Sequence, residues 1–169
     1  MNQLVFKFPF KVKYFKQDFY VSSNNFSAYK LIESWPNWPG NWLNVFGMSG
    51  SGKTHLSKIL EKKINKIKLV EAKYLNNKII EELNKIDCLI IDNYQNNIDE
   101  NLFYSILNQS KQLDNYIVVN SISSLNKLNY NLLDLQSRLN SFIFIGIQLP
   151  NDDLLQVIIS KFFSDNQIN

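Results

Sequence analysis

Arginine is nearly absent from this sequence of 169 residues: of its 18 lysine and arginine residues, only Arg138 is an arginine. Lysine suffices wherever a site needs only positive charge. Arginine presents a planar, permanently charged fork that can contact a carboxylate or a phosphate with two parallel hydrogen bonds. We therefore expect Arg138 to serve a site where the shape of the charged group matters.

Several other features are scarce, and each narrows the class of protein. The single cysteine, Cys88, cannot form a disulfide within the chain, which fits a reducing cytoplasm. No apolar run approaches the roughly 18 residues of a membrane span, and lysines interrupt the apolar start, so neither membrane contact nor a signal peptide is expected. A net charge of +3 is far from the basic surface of a dedicated DNA-binding domain. With 45% hydrophobic and 20% charged residues, the composition predicts one globular domain.

Short apolar stretches rich in β-branched and aromatic residues alternate with amphipathic stretches. The short stretches predict buried parallel strands at 42–46, 67–70, 88–92, 115–121 and 142–147. The amphipathic stretches predict helices near 23–34, 53–65, 74–84, 98–113 and 132–140, and a further helix after Pro150 with Asn151 or Asp152 as its N-cap. This alternation predicts a three-layer α/β fold in which helices cover a five-stranded parallel sheet.

Glycine is also scarce, and three of the five glycines lie in the segment GMSGSGKTHL, which begins at residue 47. The segment matches G-x-x-x-x-G-K-[ST] and lies between a predicted strand and a predicted helix, as a phosphate-binding loop does. Backbone N–H groups of such a loop surround phosphate oxygens, and the helix N-terminus adds a favourable dipole. Lys53 would contact the β- and γ-phosphates of ADP or ATP, and the Thr54 hydroxyl would bind Mg²⁺. The expected nucleotide contacts are Gly47, Met48, Ser49, Gly50, Ser51, Gly52, Lys53, Thr54 and His55.

An acidic residue in the predicted third strand completes such a site. Apolar residues lead to Asp92, whose carboxylate can hold Mg²⁺ through water. The next residue is Asn93, where ATPases that hydrolyse ATP well usually carry a second carboxylate. An amide can hold water but cannot accept its proton. The site is therefore expected to bind nucleotide and to hydrolyse it slowly.

Asn120, His55 and Cys88 lie in or next to the same predicted elements. Asn120 ends the predicted fourth strand, where it could contact the γ-phosphate or the attacking water as a sensor, or could simply belong to a turn. His55 opens the helix after the phosphate loop, and we interpret it as a neighbour of the nucleotide rather than a catalyst. Cys88 lies inside the third strand and is expected to pack in the core.

The segments GSGKTHL, LIIDN and LLDLQSRL occur in this order and resemble the DnaA-related branch of AAA+ proteins, in particular its Hda-type members. Proteins of this type carry an Asp-Asn pair, matched by Asp92 and Asn93, and a Ser-Arg-Leu at the arginine-finger position, matched by residues 137–139. They begin with a Gln-Leu clamp-binding segment, matched by QLVFKF from Gln3. The stretch DFYVSSNNFSA at 18–28 resembles their adenine-side segment, so the likeness covers nearly the whole chain.

The resemblance implies an AAA+ base domain at 11–150. A clamp-binding peptide at 1–10 would precede it, and 151–169 would be the start of a helical lid that is largely missing. Arg138 would be an arginine finger that acts in trans. The residues that the resemblance adds to the sites are Val21 and Asn25 beside the adenine, and Gln3, Leu4, Phe6 and Phe8 on the clamp.

The resemblance also implies a function and partners. It describes a cytoplasmic adaptor that binds ADP or ATP with Mg²⁺, docks on the sliding clamp (the DNA polymerase beta subunit) and promotes hydrolysis of ATP bound to DnaA. Such a protein regulates replication initiation negatively. It would contact DNA only indirectly, through the clamp, and whether it forms a homodimer stays open.

Some residues depart from the family pattern or fit another reading. Ile122 and Ser123 stand where DnaA and many relatives continue with Asp-Arg. Apolar residues alternate along 4–10, so this stretch also fits an edge strand packed on the domain. Arg138 could instead pair with Asp134, an i,i+4 helix contact of about 0.3–0.5 kcal/mol.

Two other functions use the same motifs. A small phosphoryl-transferring kinase clamps its substrates with several arginines, and one arginine fits that role poorly. A helicase-loader-like protein or another DNA-binding ATPase of the DnaA branch remains the alternative. That reading requires a basic, aromatic-bearing DNA surface and a catalytic acid of its own.

Overall fold

A five-stranded parallel sheet forms the centre of the computed structural model, which describes residues 19–95 and 97–165. The strands are β1 (Trp42–Phe46), β2 (Ile67–Glu71), β3 (Cys88–Tyr94), β4 (Tyr116–Ser121) and β5 (Ile143–Gly146). Their order across the sheet is β2-β3-β4-β1-β5, and all four neighbouring pairs are parallel. The predicted five-stranded parallel sheet is confirmed. The predicted clamp-binding peptide at 1–10 lies outside the described residues.

Six α-helices are found in the described part of the chain. They are α1 (Phe26–Glu33), α2 (Lys53–Glu61), α3 (Lys78–Glu82), α4 (Glu100–Gln112), α5 (Leu133–Leu139) and α6 (Asp152–Asp165). The Asn151 side chain accepts a hydrogen bond from Leu154 N at 3.1 Å, which confirms it as a cap of α6. None of the helices at 19–95 and 97–165 is both long and apolar enough to cross a membrane.

The prediction of one continuous helix at 74–84 is wrong. In the structure α3 spans five residues, and separate 3₁₀ turns lie at Ala72–Tyr74 and Leu83–Lys85. The Asn76 side chain accepts a hydrogen bond from Lys78 N at 3.0 Å. Such local bonds from asparagine compete with helical ones, so they favour a helix start here rather than a helix interior.

Two hydrophobic clusters lie on opposite faces of the sheet. Along β3, Leu89 and Ile91 belong to one cluster, and Cys88 and Ile90 belong to the other, because side chains alternate between the faces of a strand. Burial raises the pKa of the Cys88 thiol to about 12, which fits the expected packing role. The helices contribute Ile79, Phe103 and Leu135 to the first cluster and Ile32 and Leu56 to the second. The predicted three-layer arrangement is confirmed.

A buried asparagine in β1 connects this strand to the carboxyl end of β4, the middle strand of the sheet. Asn44 is fully buried, and its Nδ2 donates to Val119 O and to Ser121 Oγ, each at 2.9 Å. Its Oδ1 accepts from Leu125 N at 3.0 Å. One side chain thus fixes the end of β4 and the turn after it, beside the carboxyl end of β1 where the phosphate loop begins.

Candidate nucleotide-binding site

The glycines of the segment after β1 allow a tight loop between that strand and α2. Gly52, at the N-cap of α2, has a φ of 100°, a left-handed conformation that residues with a Cβ adopt at a cost. A Cβ on Gly47 would collide with the backbone oxygen of Ile147. The loop backbone therefore requires glycine at these positions, as the phosphate-loop motif predicts.

Lys53 opens α2 and folds back over this loop. Its Nζ donates to Gly47 O at 2.7 Å and to Met48 O at 2.9 Å, and the residue is 8% exposed. Burial lowers the pKa of the amine, and the nearby charge of Asp92 offsets part of this effect. The ammonium group lies beside the loop backbone, where it could exchange carbonyl oxygens for phosphate oxygens.

Side chains from two elements, α2 and β4, converge on the Asp92 carboxylate of β3. The Thr54 hydroxyl donates to Asp92 Oδ2 at 2.9 Å, and Asn120 Nδ2 donates to Asp92 Oδ1 at 2.9 Å. Asn120 Nδ2 also donates to Ser57 Oγ at 2.8 Å, while Asn120 Oδ1 is buried with no hydrogen-bond partner in the described structure. The structure thus brings together three residues singled out from separate motifs.

Two oxygen atoms of the same cluster could hold a magnesium ion. A hydroxyl and a carboxylate oxygen are ligands that Mg²⁺ prefers, and it usually completes its shell with water and substrate phosphates. Thr54 and Asp92 supply these two oxygens side by side at the end of the phosphate loop. Ser57, which sequence reasoning missed, lies one helical turn after Thr54 and holds Asn120 from the other side. Ser57 lies three residues after Thr54, and residues three apart share one face of a helix, so this spacing could have indicated its position in the site.

Asn93 occupies an irregularity in β3. The register between β3 and β4 shifts between Ile91 and Tyr94, and Asn93 has a φ of 55° and is exposed. Asparagine tolerates this left-handed conformation better than most residues. Asn93 lines a cavity of about 500 Å³ that also borders Lys53, Thr54, Ser121 and Ile122. The residue next to the predicted magnesium ligand therefore faces the space beside the phosphate loop.

A second cavity, of about 200 Å³, lies on the other side of the phosphate loop. Asn25 lines it, and its amide is engaged within the local turn: Oδ1 accepts from Ser22 N at 2.9 Å and Nδ2 donates to Tyr20 O at 2.8 Å. Val21 is 43% exposed and is not among the lining residues of this cavity. Asn25 therefore forms part of the wall of this cavity, and Val21 does not.

Distant segments close this second cavity. Phe19 packs edge-on against the His55 ring, with the centroids 5.2 Å apart, and both residues line it. Gln148 and Ile158, which sequence reasoning missed, come from the segment after β5 and from α6. The backbone of Gln148 donates to Asn24 O at 3.1 Å. No local pattern could have indicated a contact between segments so far apart in the chain.

Arg138 lies at the end of α5, half-buried, and its Nε donates to Asn108 Oδ1 of α4 at 2.7 Å. It forms no ion pair with Asp134 or any other carboxylate of the described residues. The alternative of a helical Asp134–Arg138 pair is therefore wrong. The predicted clamp contacts Gln3 and Leu4, like Phe6 and Phe8, lie outside the described residues.

The strand order, the phosphate loop after β1 and the acidic residue in β3 define the fold of an AAA+ P-loop ATPase domain. The chain is similar to a solved DNA replication initiation factor, with a TM-score of 0.75 and 21% identity over 93% of this chain and 56% of that one. It is similar to AMPPCP-bound DnaA from Aquifex aeolicus, with a TM-score of 0.74 and 22% identity over 94% of this chain and 57% of that one. It is also similar to DnaI, with a TM-score of 0.60 and 14% identity over 80% of this chain and 90% of that one.

The chain thus spans a little over half the length of the first two structures. No protein-family model and no curated protein matches the sequence. These likenesses, all below 25% identity, establish the fold.

Proposed function

We propose that the chain is a replication-related AAA+ adaptor that binds nucleotide, docks on the sliding clamp and promotes hydrolysis of ATP bound to DnaA. The observation that carries this proposal is the state of the only arginine. Arg138 contacts a neutral amide at the end of a helix and has no acidic partner in the described structure. Because no carboxylate of the described residues pairs with it, the Arg138 guanidinium group could contact a phosphate of a nucleotide bound to another protein.

The site at the phosphate loop supports binding of ADP or ATP with Mg²⁺. Lys53 lies where it could contact phosphates, and Thr54 and Asp92 could hold the metal ion. The metal ion, when bound, would neutralise charge on the phosphates. Asn120 Oδ1, which is buried and has no partner among the described residues, could accept a hydrogen bond from a water. Contact with a terminal phosphate would require Nδ2 to exchange its bond to Asp92 or Ser57 for one to a phosphate oxygen.

The chain's own hydrolysis is expected to be slow, because Asn93 cannot accept a proton from water. We expect steady-state ATP turnover below about 1 s⁻¹, the low end of typical enzymes. Replacing Asn93 by Asp supplies a carboxylate in the same cavity and should change the rate, whereas Asn93→Gln, which keeps the amide, should remain slow. Faster wild-type turnover, or an unchanged rate in Asn93→Asp, would contradict this role for Asn93.

The N-terminal segment is expected to bind the clamp. Leu4, Phe6 and Phe8 would fill an apolar groove, and Gln3 would donate or accept a hydrogen bond at its rim. Replacing both Gln3 and Leu4 by Ala should abolish binding to immobilised clamp and leave the melting temperature nearly unchanged.

The matched control for the clamp prediction replaces Lys11 and Lys13 by Ala. These two residues follow the predicted clamp-binding peptide at 1–10, which stays unchanged in the control. This control should bind the clamp like the wild type. A fall of many degrees in the melting temperature of the Gln3→Ala, Leu4→Ala variant, with clamp binding intact, would instead indicate an edge strand packed on the domain.

The proposed function is tested by reconstitution. DnaA loaded with ATP is mixed with DNA-loaded clamp and this chain, and conversion of the DnaA-bound ATP to ADP is followed over time. We expect rapid conversion only when all three are present. Unchanged conversion in the complete mixture would overturn the proposal.

The alternative is a helicase-loader-like protein or another DNA-binding ATPase, which the fold likeness to DnaI favours. That function predicts that single-stranded DNA binds the chain directly and stimulates its own ATP hydrolysis. The proposed adaptor predicts neither effect. An ATPase assay with and without single-stranded DNA separates the two.

A further inference from the structure

Helix α5, which ends near Arg138, is attached to α4 at both ends. At its start, the Glu100 carboxylate of α4 accepts from Asn131 N at 3.1 Å and from Leu132 N at 2.7 Å. At its end, Asn108 Oδ1 of α4 accepts from Arg138 Nε at 2.7 Å. The only arginine is therefore tied to α4 through one defined nitrogen.

The contact at Nε leaves the outer part of the guanidinium group available. Arginine has five N–H donors in a fixed fork, and only the one on Nε is used here. The two Nη nitrogens have no hydrogen-bond or ion-pair partner among residues 19–95 and 97–165. Because the guanidinium group is planar, a hydrogen bond at Nε restricts the orientations that the two Nη nitrogens can take.

The chemistry of the acceptor also matters. A carboxylate at this position would form an ion pair with Arg138 and compete with a phosphate for it. The Asn108 amide oxygen is neutral, so it can orient the guanidinium group without cancelling its charge. Lysine could not serve both purposes, because its single ammonium group has no fixed fork to share between an orienting acceptor and a phosphate.

We propose that Asn108 is the positioning residue that orients Arg138 toward phosphate on a neighbouring protein. This proposal rests on the proposed function, in which Arg138 acts in trans on ATP. Positioning matters because a long side chain that must be ordered during the reaction loses rotamer freedom. A catalytic group displaced by about 1 Å can lower the rate by about a hundredfold.

The single arginine makes the contact directly observable. In a ¹⁵N-labelled full-length chain, only Arg138 contributes an arginine Nε–H resonance, so its assignment needs no further experiment. We expect slow exchange of this proton with water in the wild type and in Asn108→Asp, which keeps an oxygen acceptor. In Asn108→Leu, which is similar in size and has no acceptor, the exchange should be fast. Slow exchange in Asn108→Leu would show that Asn108 does not hold the Arg138 Nε–H group, and the proposal would be wrong.

The functional test uses the same variants in the reconstituted reaction with DnaA and clamp. Asn108→Leu should lower the maximal rate of ATP hydrolysis on DnaA about tenfold and leave the concentration for half-maximal stimulation unchanged, since the finger is still present but no longer oriented. Asn108→Asp keeps an oxygen acceptor for Nε but also pairs with the charge of Arg138, so the maximal rate on DnaA with this variant should lie between the rates with Asn108→Leu and with the wild type. The control Asn101→Leu, at an exposed position of the same helix, should match the wild type.

The outcomes separate the two proposals. If Arg138→Ala abolishes stimulation and Asn108→Leu stimulates fully, Asn108 does not position the arginine, and the proposed function stands. If Asn108→Leu raises the half-maximal concentration with the maximal rate intact, the residue serves partner binding and the positioning role is wrong. If the wild-type chain fails to stimulate DnaA, the proposed function falls, and the positioning role falls with it.

Discussion

Arg138→Lys is expected to abolish the stimulation of ATP hydrolysis on DnaA and to leave nucleotide binding, clamp binding and folding as in the wild type. An arginine finger stabilises charge that develops on the γ-phosphate, and fingers supplied by a partner are worth about 10³–10⁵ in rate. We expect the stimulation that is lost here to be smaller, on the order of a hundredfold in the rate of ATP hydrolysis on DnaA. The measurement is the rate at which DnaA-bound ATP becomes ADP with clamp present.

The contact with Asn108 gives a reason to expect that lysine cannot replace this arginine, although every other lysine-or-arginine position of the chain holds lysine. The Arg138 side chain meets Asn108 through Nε and keeps its outer nitrogens for a second contact. A lysine could reach either partner but has no rigid fork to contact both in a fixed geometry. The positive charge would be retained, so any loss of activity reports the shape of the group.

A matched control addresses the alternative reading of Arg138. Asp134→Ala removes the acid one helical turn earlier, which forms no ion pair with Arg138 in the structure. This variant should stimulate DnaA as the wild type does. If Arg138→Lys also stimulates as the wild type does, the lone arginine reflects composition, and the proposed mechanism is wrong.

Lys53→Ala is expected to remove the stabilisation that Mg²⁺-ADP gives to the wild-type chain. A ligand at 100 times its Kd adds about 2.7 kcal/mol to the free energy of unfolding. For a domain of this size, each kcal/mol raises the melting temperature by about 2–4 °C, so the wild-type shift should be roughly 5–10 °C. Without the ammonium group beside Gly47 and Met48, phosphate binding loses its main cation.

The control for Lys53 lies on the same helix. Lys58 forms an i,i+3 ion pair with Glu61 at 2.8 Å and is partly exposed. Such exposed pairs contribute about 0–1 kcal/mol, so Lys58→Ala should melt close to the wild type and retain the full shift with Mg²⁺-ADP. The measurement is thermal melting with millimolar Mg²⁺-ADP. If the melting temperature of Lys53→Ala still rises with nucleotide as that of the wild type does, nucleotide binds outside this loop.

The parts of the site that sequence reasoning predicted are those in which chemistry demands fixed residues at fixed spacing. A loop around phosphates needs glycines and a lysine in order, and this spacing alone is enough to locate Lys53 and Thr54. The acid at the end of a buried strand locates Asp92 in the same way. Parallel strands place their carboxyl ends at one edge of a sheet, which is why Asn120 lies beside them.

The parts that were missed depend on tertiary contacts. Asn108 is one of many asparagines in this chain, and its contact with Arg138 spans 30 residues of sequence. Gln148 and Ile158 reach the second cavity only because the chain folds back over the start of the domain. The predicted helix at 74–84 was too long because the side chain of Asn76 accepts a local hydrogen bond from the backbone, which competes with helical bonds.

The buried Asn44 bridge has a consequence for how the sheet opens. Separating the end of β4 from β1 would leave Leu125 N and the Asn44 amide without partners in the interior. Each such buried polar group costs about 1–3 kcal/mol, so this edge is poorly suited to partial opening. Backbone amides at Val119 and Ser121 should therefore exchange with deuterium only when the whole domain unfolds. Nucleotide could then enter and leave through movements of the loops while β1 and β4 stay joined.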